Sequence, residues 1–90
     1  MKICILSGTE IKNREMLHSI LKDSLSLPEW YGRNLDALYD CLTEIQEITE
    51  IQVLQKSNLE KHLGRYANYL IKVIEQAKKE NPRICLKLEE

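Results

Sequence analysis

Pro28-Glu29-Trp30-Tyr31-Gly32-Arg33-Asn34-Leu35-Asp36-Ala37-Leu38-Tyr39-Asp40-Cys41-Leu42-Thr43-Glu44-Ile45 runs an aromatic loop straight into a helix signal. Asn34 suits an N-cap, because its side-chain oxygen can accept from a free amide of the first turn, and Gly32 before it eases a sharp turn. The spacing predicts a helix from Leu35 to around Glu44–Gln46. At about 100° per residue Leu35, Leu38, Leu42 and Ile45 form one stripe that faces a core. Asp36, Tyr39, Asp40, Thr43 and Glu44 gather on the other side and are left to meet something else.

That second face is acidic out of proportion to the chain. Between residues 29 and 50 stand six acids (Glu29, Asp36, Asp40, Glu44, Glu47, Glu50) and one base (Arg33), a net of −5, whereas all 90 residues carry −1. Asp36 gains from the positive end of the helix dipole. Asp36–Asp40 and Asp40–Glu44, however, are like-charge pairs four apart, each costing roughly 0.2–0.5 kcal/mol. Stability alone favours a lysine at one of these positions, so the face points to a binding role.

The rest of the chain supplies a frame. Ninety residues with 43% hydrophobic content make a single domain, residues 1–90, with one two-layer core. Residues 2–6 read as a strand of parallel type buried on both faces, 51–54 as a second strand and 84–88 as a third. Asn13 caps a helix from about Arg14 to Leu25, which Leu27-Pro28 ends. Ser57 to Glu60 has capping-box spacing and opens a short helix, Gly64 suits that helix's C′ position, and a longer helix follows as far as Asn81-Pro82. The order β-α-α-β-α-α-β implies an α/β fold, a small parallel sheet packed with about four helices.

Several classes of function are disfavoured. The chain lacks a basic face for nucleic acid, and its N-terminal apolar run of four residues is too short for a secretory or membrane segment, so a cytoplasmic location is expected. Cys4, Cys41 and Cys85 are odd in number with no CxxC spacing, and read as reduced, core-filling thiols. His18, on the first helix, and His62, exposed on the third, read as structural or solvated. Asp36 and Asp40 lack the hydrophobic pocket that sets acid and base apart, and no metal loop, phosphate-binding glycine motif or nucleophile elbow is present. Neither enzymatic activity nor a cofactor or metal is expected. Trp30, Tyr31 and Tyr39 bracket the acids like a binding hot spot; the competing reading, closure of the core under the loop, suits Tyr31 best and Tyr39 least.

Leu17-His18, Leu21-Lys22, Leu25, Leu27-Pro28-Glu29, Tyr31-Gly32, Asn34-Leu35-Asp36-Ala37-Leu38 and Asp40-Cys41-Leu42-Thr43 together resemble the barstar family, intracellular inhibitors of the secreted ribonuclease barnase. The resemblance is dense over residues 16–43 and looser beyond. It implies a three-stranded parallel sheet with helices, and inhibition by an acidic helix and its preceding loop, which plug the active site of a secreted, barnase-like, guanyl-preferring ribonuclease. Carried over by position, Asp40 is the anchor that mimics a phosphate, Asp36 and Tyr39 flank it, Trp30 stacks near the nuclease histidine, and Asn34, Thr43 and Glu44 lie at the rim. A monomer is expected of the free protein. This chain departs from the pattern at Glu44, where a small residue is usual, at Tyr39 and Ile45, where tryptophans are usual, and at Gln76, where an acid is expected. The alternative is a non-inhibitory module whose acidic helix docks a different basic partner.

Overall fold

Strand order explains which face of the sheet is covered. In the computed structural model, which describes residues 1–90, β1 (Lys2–Ser7), β2 (Thr49–Leu54) and β3 (Ile84–Leu88) form a parallel sheet in the order β1-β2-β3. Two right-handed crossovers stepping in the same direction place every connecting helix on one face. The strands accordingly alternate: Cys4, Leu6, Ile51, Val53 and Ile84 are buried, while Ile3 and Ile5 are 49% and 50% exposed. The expectation that β1 is buried on both faces is therefore wrong. Its near-continuous apolar run resembles a doubly covered strand, but an edge strand in this order has one open side.

The helices are α1 (Arg14–Leu25), α2 (Leu35–Thr43), α3 (Lys56–Leu63) and α4 (Arg65–Glu80). This is the three-stranded α/β architecture expected, in the expected element order. Asn13 accepts from the Met16 amide and Asn34 from the Ala37 amide, so both predicted caps form. Leu17 and Leu21 of α1, Leu38 and Leu42 of α2, Leu59 of α3 and Leu70 and Ile74 of α4 are fully buried in one core, in which α1 and α4 pack on the sheet and α2 and α3 pack on α4. Each contributes on the order of 1.5–3 kcal/mol by leaving water.

Four local expectations are corrected. Ser57 is not a cap: α3 begins at Lys56 behind Gln55, whose φ is 54°, and Ser57's amide and hydroxyl instead donate to the Glu90 carboxylate. A distant carboxylate takes the part assigned to Glu60. Second, α2 ends at Thr43, and Ile45 reaches the core from beyond the helix. Third, Cys85 is exposed on the open face, whereas Cys4 and Cys41 are core residues. Fourth, His62 is not freely exposed: it is half-buried and its Nδ1–H donates to the Gly8 carbonyl at 2.9 Å.

Candidate functional site

The loop before α2 is pinned so that one aromatic points in and the other out. Tyr31 is 5% exposed and closes the core, while Trp30 beside it is 77% exposed. Buried His18 of α1 holds Tyr31 in place. Its Nδ1 lies 2.5 Å from the Tyr31 hydroxyl and its Nε2 2.7 Å from that of Tyr66 on α4. With a neutral ring, one nitrogen donates to a phenol oxygen and the other accepts from the second phenol O–H, and no buried side-chain nitrogen or oxygen lacks a partner. Burial holds the His18 pKa below its usual value, helped by Arg33 and Arg14 nearby, and Arg14 lies 4.0 Å over the Tyr66 ring.

The turn into α2 is made differently from expectation. The left-handed residue is Arg33, with φ 55°, and not Gly32. Gly32 instead relieves crowding, since a Cβ there would stand 3.2 Å from Asn34 Nδ2 and 3.3 Å from the Ala37 Cβ, tight contacts against the cap itself. Arg33 then donates to the Glu15 carbonyl and the Ser19 hydroxyl of α1. The one base of the acidic segment is thus turned away from the acids and ties the loop down.

The acids divide into two groups. Glu29 pairs with Lys22 at 3.2 Å, Glu47 with Lys2 and the N-terminal amine, and Glu50 with Lys87. Asp36, Asp40 and Glu44, all exposed, have no cation within 4 Å. The three acids left unpaired are those on the outer face of α2.

Two concavities flank that face. One, of about 450 Å³, lies between α2 and α4 and is lined by Asp36, Tyr39, Asp40, Lys72, Val73 and Gln76. Half-buried Tyr39 packs against the core as its wall. The other, of about 350 Å³, lies between the 25–30 loop and the segment after α2, with Trp30, Glu44, Ile45 and Glu47 among its lining. Thr43 is half-buried and its hydroxyl donates to the Asp40 carbonyl. Asn34 spends its oxygen on the cap and an N–H on the Gly32 carbonyl, leaving one N–H for any other contact. The seven site candidates therefore lie on one loop and one helix, with Asp36, Tyr39 and Asp40 on one groove and Trp30 and Glu44 on the other.

Three supporting residues escaped the sequence reading. His18 and Tyr66 pin the loop from below, across 48 residues of chain. Asn81, read only as a helix stop, is buried, and its Nδ2 donates to the Leu42 and Ile45 carbonyls at 2.9 Å each, fixing the end of α2. A buried polar residue at a helix terminus was the only signal available. The arrangement contains no group of three or more histidine, cysteine or acidic side chains able to hold a metal ion. Its chemistry is that of a rigid anionic ridge with aromatic shoulders.

The family model described as "Barstar (barnase inhibitor)" matches residues 1–89 of the chain. A Bacillus subtilis protein named "Putative ribonuclease inhibitor YrdF" is 42% identical over 81 residues, which are 89% of each chain.

Proposed function

The chain belongs to the barstar family, and on that premise we propose that it is a cytoplasmic, non-enzymatic inhibitor of a secreted, barnase-like, guanyl-preferring ribonuclease. The observation that carries this reading is the set of unpaired acids, Asp36, Asp40 and Glu44, on a helix whose other face is locked into the core. A ribonuclease site is a cationic cleft built for RNA phosphate. A carboxylate fixed on a rigid helix can accept from the same arginine, lysine and histidine donors. Asp40 then stands in for the phosphate, Asp36 and Tyr39 flank it, Trp30 stacks beside the nuclease histidine, and Asn34, Thr43 and Glu44 complete the rim. The free protein is a monomer in this reading.

A second reading draws on the α2–α4 groove. Lys72 and Gln76 line it opposite Asp36 and Asp40, so that wall carries no acid and brings a positive charge. Lys72 disfavours a cation on that side of the groove, which supports a non-inhibitory module whose acidic helix docks a different basic partner, one that meets Asp36, Asp40 and Glu44 without placing charge against the α4 wall. Titrating a panel of secreted guanyl-preferring ribonucleases, barnase included, while following RNA cleavage separates the two. Stoichiometric inhibition of at least one enzyme is expected; no inhibition of any of them removes the nuclease reading in favour of the second.

A further inference from the structure

Two side chains of the groove between the 25–30 loop and the end of α2, Trp30 and Glu44, have no partner within the chain. Trp30, the only tryptophan, stands exposed on its rim. Glu44 lines the same groove without a cation, although Glu47 on the same groove takes both Lys2 and the N-terminal amine. The third feature is the helix end itself. The last turns of α1, α3 and α4 each carry basic residues and that of α2 carries none. Its terminal carbonyls are met by the neutral amide of Asn81. The negative end of the dipole and the Glu44 carboxylate therefore add at one place with no cation paired to either, since Lys2, the one base lining the groove, is held by Glu47 and the Leu25 carbonyl.

We propose that this groove is a second cation subsite that takes an arginine side chain of the protein partner, with the guanidinium between the Trp30 ring and the Glu44 carboxylate. The proposal rests on the reading that α2 docks a basic protein, and adds that the partner presents positive charge on both flanks of the helix. Leu27 and Ile45 offer an apolar floor for the arginine's methylene stem. Arginine fits better than lysine, because a planar guanidinium can stack on an indole while its N–H groups donate to a carboxylate, which a compact ammonium cannot do at once. Asp40 and Glu44 are one turn apart, with Cβ atoms about 5–6 Å from each other, so one basic surface can reach both.

Because Trp30 is the sole tryptophan, its fluorescence reports on this groove directly. The test titrates the full chain with N-acetyl-arginine amide and, at matched ionic strength, with its neutral isostere N-acetyl-citrulline amide. A saturable change is expected with the arginine probe at concentrations on the order of millimolar, and none with citrulline. Glu44→Gln should weaken the response about fivefold, equivalent to about 1 kcal/mol for a partly exposed pair, while Glu75→Gln, which alters an exposed acid of α4 on a different concavity, should leave it within about twofold. Equal responses to the two probes, or a Glu44→Gln protein that titrates like the parent, overturn the proposal. Far-UV circular dichroism confirms folding of each variant, all of which alter exposed side chains. The nuclease panel distinguishes the two levels of inference. Loss of all inhibition with the arginine response intact removes the nuclease reading and retains the subsite; inhibition with no arginine response removes the subsite alone.

Discussion

Asn81→Asp should destabilise the protein more than Asn81→Ala, and the difference should depend on pH. The Asn81 amide donates to two carbonyls at the end of α2, and its oxygen accepts from the Arg83 amide at 3.1 Å. Truncation to alanine removes the side-chain donor of the partly buried Ile45 carbonyl and leaves the buried Leu42 carbonyl with only backbone amides, the Ile45 amide at 3.3 Å among them. A fully orphaned buried group costs about 1–3 kcal/mol, and since neither carbonyl reaches that limit a loss of about 1–3 kcal/mol is expected for the pair. Aspartate keeps the acceptor for Arg83 but turns both donations into contacts between a carboxylate and two carbonyl oxygens. At neutral pH this adds a buried, unpaired charge to the loss of the two donations, for about 3–5 kcal/mol in all. Protonation returns one donor. The folded-state pKa of the introduced carboxyl is therefore raised above its unfolded value, so stability is greatest below about pH 4 and is lost as pH rises through the folded pKa.

Urea unfolding at pH 5 and pH 7.5, followed by circular dichroism, measures both variants against the parent. For a domain of this size each kcal/mol lowers the melting temperature by about 4–8 °C, so thermal melts give an independent reading. An Asn81→Asp protein within about 1 kcal/mol of the parent at pH 7.5 would show that solvent or a shifted α2 satisfies these carbonyls, and that Asn81 does not fix the helix end.

Asp40→Ala should fold as well as the parent, having lost two like-charge neighbours, yet inhibit a susceptible nuclease far less well. Truncating one partner of a buried charge pair costs ~2–5 kcal/mol in protein complexes, barnase with barstar among them; inhibition titrations with thermal melts as control decide it, and unchanged inhibition sinks the phosphate-mimic mechanism. The association rate with that nuclease should fall steeply as salt rises while the dissociation rate changes little, because screening weakens attraction beyond ~8–10 Å; stopped-flow rates flat in salt refute charge steering. His18 has a lowered pKa, so its neutral form contributes stability that is present above about pH 6.5 and is lost as pH falls through the folded pKa. His18→Gln should flatten that part of the urea-midpoint profile between pH 8 and 5, and an unaltered profile counts against the Tyr31–His18–Tyr66 clamp. Of the three thiols only exposed Cys85 should react promptly with a thiol reagent in the native state, since Cys4 is buried and pushed up to about 11 and burial also raises Cys41; rapid release of more than one equivalent refutes this.

What was legible in the sequence was what is decided within a few residues. Asn13 and Asn34 act on amides three positions on, and the leucine stripe of α2 needs only the helical period, so caps, element order and the inward face could all be read directly. The open side of β1 could not, because it follows from strand order and not from the composition of the strand. Ser57 failed for a related reason: its partner is Glu90, 33 residues away, where the local pattern offered Glu60. Long-range pairing likewise separated the six acids, since Lys22, Lys2 and Lys87 come from elsewhere in the chain.

The acidic face of α2 stood out in the sequence because it breaks local rules. A helix that repeats acids at i, i+4 and i+8 and continues them to its C-terminal end, with no base in its last turn, gives up stability at each step. Tertiary structure could have repaired this, as Lys2 and the N-terminal amine do for Glu47. It does not, and Arg33, the one base in the segment, is turned toward α1. A local violation that folding leaves uncorrected, on an element whose opposite face is anchored by Leu38, Leu42 and Asn81, is the pattern expected where a surface answers to a partner outside the chain. For the same reason the supporting residues were invisible: His18, Tyr66 and Asn81 violate nothing locally, and their role exists only once the chain has brought them together.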